Sequence, residues 1–394
     1  MRVLFTPLPW STHIYQIVGL AWACRLAGDD VRVAVDDALV EVVAAAGLTP
    51  APLGPGFDFM AEARRASQLP RWEGPGDTMT SDQRARPLNR YLTVAETQID
   101  SLAAFAGRWR PDLVVFDPMS LAGPLVAQQL GVPAVRHLCG TDITRLIGWP
   151  GMGAATGESG AEWPERLVEL YEHNGGKPVD DLAVLTVDPC PTALQVPGHP
   201  NRMTICPVPY NGSGWLPTDV LGEPDRPRVL VSWGHTATAA GGDAALGTPA
   251  IVEALAGEDV DVVVAAAPQD AAQLRDMPAN TTVLTSVPLH TVLPSCAAIV
   301  HQGGGGTVMT SGFYGVPQLA VPDQPHHKIS ATGLPDTGAG LLLPAEQASG
   351  QRIRDAVRLL VEDRAIHDAA AGLREEILAQ TAPAEVAGRL RELV

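Results

Sequence analysis

A histidine, four consecutive glycines and a threonine stand together in AAIVHQGGGGTVMTSGFYG, residues 297 to 315. Each glycine loses more backbone freedom on folding than any other residue, so a run of four is costly to order and marks a place that needs bare backbone. The run separates AAIV, which reads as a strand, from TVMTSGFYG, which reads as the start of a helix. Amide groups at a helix N-terminus carry about half a positive charge, and glycines admit an anion with no Cβ in its way. The turn is therefore a candidate diphosphate cradle, with His301 at the strand end placed to donate to a phosphate oxygen. A flexible turn beside a core histidine is the alternative. The chain has neither a GxGxxG fingerprint nor a GxxxxGK(S/T) loop, so ordinary dinucleotide binding and P-loop chemistry lose support.

Other residues have the types and places for proton transfer. His13 stands in PWSTH, a loop between a first strand, RVLFTPL, and a helix from about Ile14 to Gly28. An imidazole has an intrinsic pKa near 6.5 and can be neutral at physiological pH, which suits it to take a proton from a hydroxyl. Asp117 closes the run DLVVFD and would orient the imidazole and stabilise its cation, as a carboxylate does behind a catalytic histidine. A structural loop histidine is the plain alternative for His13. Asp142, in CGTDITRLIG, reads by itself as the N-cap of a helix at ITRLIG. Trp10, Phe57, Phe59, Met60, Trp72, Tyr91 and Trp149, with Thr12 beside them, fall where they would roof this half of the chain. Flat apolar side chains there suit a large hydrophobic ligand, with core packing as the alternative.

The elements that must position these residues alternate strand, loop and helix, the pattern of a parallel sheet flanked by helices. DVRVAVD follows as a second strand and ALVEVVAAAG as a helix; residues 54 to 90 lack a clear period and read as excursions over a surface. DLVVFD and PAVRHL are further buried strands, which completes one Rossmann-like domain over 1–206. PVPYNGSGWLPTDVLGEPDRP has the composition of a linker, assigned to 207–226. RVLVSWG, VDVVVAAA, TTVLTSV, AAIVHQ, PQLAVP and GLLLP then mark a second such domain over 227–394, whose C-terminal helix is a candidate to pack back on the first. Ligand sites in open parallel sheets lie beyond the carboxyl ends of the strands, so both domains are expected to direct those ends into a shared cleft.

Bulk properties agree. A length of 394 residues exceeds what one hydrophobic core usually organises, and 46% hydrophobic with 18% charged residues is the composition of a folded soluble protein. The formal charge of −17 disfavours nucleic acid and anionic membranes as partners. The opening MRVLFTPLP reads as a strand and not as a signal peptide. The five cysteines, Cys24, Cys139, Cys190, Cys206 and Cys296, are an odd number without a CxxC pair, consistent with reduced thiols in a cytoplasm.

With these residues in place, the chain resembles the GT-B nucleotide-sugar glycosyltransferases. More narrowly it resembles actinobacterial enzymes that attach deoxysugars to polyketides and other natural products. The resemblance rests on the strand, His301, glycines and Thr307 followed by GVPQLAVP. Further matches are PLPWSTHIYQIVGLAWACRLAG, PDLVVFDPMSLAGPLVA, VPYNGSGWLP and TSVPLHTVLPSCAAIVH, so it covers essentially the full length.

The resemblance implies two Rossmann-like domains across a cleft and a metal-independent, inverting transfer from a dTDP-deoxysugar to a hydrophobic aglycone, with no cofactor. His13 would act as base, supported by Asp117, and Asp142 would assist or replace His13. His301, Gly304, Gly305, Gly306 and Thr307 would hold the diphosphate; Ser232, Gly234 and His235, in VSWGHT, would lie near it; the main chain of Val287 and Leu289 would meet the base of the nucleotide. Trp10, Thr12, Phe57, Met60 and Tyr91 would face the acceptor. Relatives commonly carry an Asp-Gln pair four and five residues after the proline of VP, where this chain has His326 and His327. Those histidines either read an unusual sugar or are exposed loop residues. A nucleotide-sugar 2-epimerase and a catalytically silent partner protein are the rival functions, and a homodimer is common among relatives.

Overall fold

The computed structural model describes the chain except residues 59–60, 62–64, 66–80, 154–160, 199–200 and 235–246. Phe59, Met60, Trp72 and His235 therefore lie outside the described residues. Two units emerge. The first comprises the described residues up to Asp58, those from 81 to Tyr210, and Gln380–Val394; the second comprises Asn211–Ala379 together with Ala61 and Arg65.

The first unit carries a seven-stranded sheet of β1 (Arg2–Thr6), β2 (Asp30–Val35), β3 (Pro50–Pro52), β4 (Leu113–Phe116), β5 (Ala134–His137), β6 (Leu185–Asp188) and β7 (Arg202–Thr204). Their order is β3-β2-β1-β4-β5-β6-β7, and every neighbouring pair is parallel. A parallel sheet is covered on both faces, so its strands read as continuous apolar runs. The alternation along β1 shows why: Val3 and Phe5 join one apolar layer and Leu4 the other. The order reverses between β1 and β4, and the loops leaving those two strands are where such sheets bind ligands. His13 follows β1 and Asp117 follows β4.

One layer contains a helix whose first ten residues fall in the stretch 54–90, expected to form surface excursions. Ser81–Trp109 is helical. From it Leu88, Leu92, Ala95, Ile99, Leu102 and Ala106 are buried in a single core cluster. Their spacing of three and four is that of one helix face.

The opposite layer is closed by the end of the chain. Helix Pro383–Arg391 packs on helix Ser11–Leu26, and its Val386, Ala387 and Leu390 share a cluster with Ile14, Ile17 and Val18. Burying side chains of this size contributes about 1.5–3 kcal/mol each. Arg391 pairs with Asp29, and Cys206 N–H donates to the carbonyl of Thr381, so the return is held at both ends.

The second unit carries β8 (Arg228–Ser232), β9 (Asp261–Ala266), β10 (Thr281–Thr285), β11 (Ala298–His301), β12 (Gln318–Ala320) and β13 (Gly340–Leu342). The order is β10-β9-β8-β11-β12-β13, again parallel throughout, with the reversal between β8 and β11. Ser232 ends β8 and the glycine run follows β11. The change of unit falls between Tyr210, which packs edge-on against Tyr15 and Trp22, and Asn211, which bonds within the second unit. Among the described residues no helix is long and apolar enough to cross a membrane.

Candidate active site

Pro7 and Pro9 end β1, and the helix begins at Ser11, not at Ile14. His13 therefore sits in the first helical turn and not in the loop, its N–H donating to Trp10 O. Trp10 is the extended N-cap residue, and Thr12 lies one place before His13. Asp117 leaves β4 in a tight turn: its Oδ1 accepts the Met119 N–H at 2.8 Å and its carbonyl accepts the Ser120 N–H.

The parallel pairing of β1 with β4 sets these two residues side by side, and His13 Nδ1 lies 2.6 Å from Asp117 Oδ2. The carboxylate is fully buried, whereas the imidazole is 20% exposed. Burial alone would push the Asp117 pKa up, but the charge and hydrogen bond of His13, the Met119 N–H and the Cys139 thiol together hold it below the usual carboxylate value. An ionised carboxylate accepts only, so Nδ1 carries the proton and donates. Nε2 is left with its lone pair, the tautomer a general base requires.

The other candidates of this unit divide. Asp142 is buried and its Oδ1 accepts from Thr144 Oγ1 and from the Arg145 N–H, which makes it the N-cap of helix Ile143–Leu146. The N-cap expected from the sequence is therefore present, with Oδ1 engaged in it. Tyr91 packs edge-on against Trp149, ring centroids 5.3 Å apart, and both belong to or pack against the core cluster. These two are core residues first. Phe57 is partly buried in the segment after β3.

In the second unit the glycine run explains itself. Gly303 has φ +89°, and a Cβ there would meet the His327 carbonyl at 3.1 Å. Gly304 is the extended N-cap of helix Gly305–Tyr314, and a Cβ on it would press on Gln302 Nε2. Without a side-chain cap, the first-turn amides of that helix are presented by backbone alone. Gly303→Ala combines a left-handed backbone with that carbonyl contact and should cost about 1–2 kcal/mol. The expected result is a lower thermal unfolding midpoint; an unchanged midpoint would show that the turn tolerates a side chain.

His301 is the last residue of β11. It is fully buried, its Nδ1 accepts the Gly303 N–H at 3.0 Å, and its Nε2 lies 3.1 Å from Gln318 Oε1. Gln318 Nε2 in turn donates to Val308 O. Both ring nitrogens thus brace the turn, at the place where the sequence suggested a donor to phosphate. The residue the sequence reading passed over is Gln302. Successive strand residues point to opposite faces, so the next side chain turns the other way. Gln302 lies against Gly234, whose φ is +71° and whose absent Cβ would stand 2.4 Å from Gln302 Nε2. Among the described residues its buried Oε1 has no hydrogen-bond partner. A polar side chain reaching across the β8 and β11 loops was the available signal.

Burial, slightly offset by the Gln318 hydrogen bond, lowers the His301 pKa to about 4. The unfolded chain protonates this histidine below about pH 6.5, and the folded one only near pH 4. Its contribution is complete above pH 6.5 and declines as pH falls, by roughly 3 kcal/mol on reaching pH 4. Unfolding midpoints from pH 7 to 4 should therefore fall less steeply for His301→Asn than for the parent; equal slopes would contradict this.

The remaining donor candidates lie around the same turn. Ser232 is buried at the end of β8 and Thr307 in the first helical turn. Val287 and Leu289 follow β10 with side chains packed on the lower cluster. Asn211 holds this loop, its Oδ1 accepting the His290 N–H and its Nδ2 donating to Thr310 Oγ1. His327 is buried, with Nδ1 3.5 Å from Asp323 Oδ1, and so is not an exposed loop residue; His326 is exposed, its ring centroid 4.1 Å from that of His327.

Two parallel sheets with switch points at β1/β4 and β8/β11, one carrying a histidine–carboxylate pair and the other a glycine-built helix start, define a GT-B glycosyltransferase. The chain belongs to the family described as erythromycin biosynthesis protein CIII-like, whose N-terminal domain matches residues 22–234 and whose C-terminal domain matches residues 249–393. It is 33% identical to 3-alpha-mycarosylerythronolide B desosaminyl transferase of Saccharopolyspora erythraea over 100% of this chain and 98% of that one. It is 32% identical to the TDP-daunosamine transferase DnrS of Streptomyces peucetius, over 100% of this chain and 97% of that one. The solved structure of glycosyltransferase VinC in complex with dTDP superposes with a TM-score of 0.83 at 31% identity, covering 100% of this chain and 99% of that chain.

Proposed function

We propose that this glycosyltransferase moves a deoxysugar from a dTDP-sugar to a macrolide- or polyketide-type aglycone with inversion at the anomeric carbon, His13 serving as general base. The observation that carries the reading is the 2.6 Å bond from His13 Nδ1 to buried Asp117, which leaves Nε2 able to accept a proton. The acceptor O–H proton passes to Nε2 while its oxygen bonds to the anomeric carbon. The bond from that carbon to the diphosphate breaks, and dTDP departs with the electron pair. Asp117 stabilises the imidazolium so formed. The amides at Gly305 and Gly306, with Gln302 beside them, receive the charge that develops on the leaving diphosphate. Fixing both substrates replaces an encounter in solution with positioned attack, an advantage of ~7–11 kcal/mol at ideal geometry.

The amides supply stabilisation of the kind a divalent cation would otherwise provide, so the reaction is metal-independent in this reading. His13, Asp117 and Cys139 place three ligand-type atoms within 4.8 Å of one another, but the 2.6 Å between His13 Nδ1 and Asp117 Oδ2 is that of a shared proton. Ligands about 2 Å from one tetrahedral ion stand about 3.3 Å apart. The relatives named above are transferases by their descriptions, which favours transfer over 2-epimerisation. Incubation with dTDP-sugar and a panel of macrolide aglycones tests this. The expected product is an aglycone heavier by one deoxysugar, formed equally with and without a divalent chelator. An epimerised donor with no glycoside would overturn the transfer reading, and strong chelator inhibition would overturn the metal-independent one.

A further inference from the structure

The reaction as described uses a histidine and an aspartate, yet a third side chain touches the same carboxylate oxygen. β4 and β5 are parallel neighbours with Phe116 opposite Arg136, so the residues leaving the two strands run alongside each other. Cys139, two places beyond the end of β5, thereby brings its Sγ to 3.2 Å from Asp117 Oδ2. His13 Nδ1 reaches that very oxygen at 2.6 Å, whereas Oδ1 is taken by the Met119 N–H. Oδ2 thus accepts two hydrogen bonds, one from the imidazole and one from the thiol.

We propose that Cys139 is a positioning residue of the transfer reaction: its S–H occupies part of the Asp117 oxygen that orients His13, and so limits how strongly the carboxylate holds a proton on the imidazole. The inference rests on His13 acting as the base. A base must take up a proton during attack yet be free of it beforehand. An aspartate that gave all of Oδ2 to His13 would favour the imidazolium in the resting enzyme and leave fewer molecules ready to react. Sharing the oxygen moderates that pull while keeping the tautomer.

The thiol is suited to this part. Burial, with the adjacent Asp117 charge, pushes its pKa well above the ordinary thiol value, so it remains an S–H donor at every working pH. The other titratable groups near Asp117 hold still over the same range. Tyr91, from helix Ser81–Trp109, is kept neutral by burial, and His137, from β5, is held unprotonated because burial lowers its pKa to about 4. Neither group changes charge near neutrality, so neither confounds a pH profile taken there.

The experiment compares kcat/KM against pH for the parent, Cys139→Ala, Cys139→Val and Cys139→Ser, with a nitrogen-15 NMR titration of the His13 imidazole in each. Alanine and valine remove the donor, and valine fills the space. Both should move the acid limb and the imidazole titration upward by about 0.5–1 pH unit. Serine keeps an O–H on Oδ2 and should return both close to the parent. dTDP affinity should be unchanged in all three. Profiles that superimpose for alanine, valine and parent overturn the proposal, and so does an equal shift in serine and valine, which would mark a volume effect. Should alanine fail to fold, the valine and serine pair decides alone. The reading of His13 as base fails separately, if His13→Ala keeps parental turnover; the imidazole titration still reports whether the thiol shares Asp117.

Discussion

His13→Ala lowers kcat for sugar transfer by about 10²- to 10⁴-fold, the usual weight of a positioned general base, while dTDP affinity stays within about twofold. The split follows from where the residue sits. His13 lies in the first turn after β1 of one sheet, and the diphosphate candidates lie at the β8/β11 end of the other. Removing the imidazole leaves donor contacts and leaving-group stabilisation in place, so turnover falls and does not vanish. Steady-state rates with a matched aglycone and titration calorimetry with dTDP check both halves. Parental turnover in this variant would hand the base to the substrate or to Asp142, whose capping bonds would then have to open.

Asp117→Asn is the more pointed substitution, because it keeps shape and changes only donors. The Met119 N–H bonds Oδ1 at 2.8 Å and requires an acceptor there, so the asparagine oxygen takes that place. Its NH₂ then stands where Oδ2 was, facing His13 Nδ1. A donor at that position forces Nδ1 to accept and puts the proton on Nε2, the nitrogen that has to be bare. The expected loss in kcat is about 10³- to 10⁴-fold, with the fold retained because an amide is less costly to bury than a carboxylate. Nitrogen-15 shifts of the imidazole should report the switched tautomer directly. A kcat within tenfold of the parent would show that the carboxylate serves folding and not proton transfer.

How much of this was readable from the chain differs by element. The strands of the second unit stand in the sequence as RVLVS, DVVVAA, TTVLT, AIVH, QLA and GLL, because strands of a parallel sheet are apolar on both faces. The short edge strands PAP and RMT left no such trace, since three residues at an edge need little apolar content. Helix Ser81–Trp109 carries its period openly from Leu88 onward, while its first ten residues fall in the stretch 54–90 that lacks a clear period in the sequence.

Residue type and position after a strand were enough to single out His13, Asp117 and the glycine turn, because chemistry of this kind needs a neutral imidazole, a buried anion and bare amides at strand ends. Direction was not. His301 and Gln302 are adjacent in sequence, and only the pleat decided that the first turns inward to Gln318 while the second turns toward Gly234. The register of β4 against β5 likewise brought the Cys139 thiol to Asp117, across 22 residues of chain. Composition and periodicity depend on each residue's own preference for water or backbone geometry and survive in the linear text. Contacts of a few ångströms between distant residues depend on how strands align, and exist only once the sheet has formed.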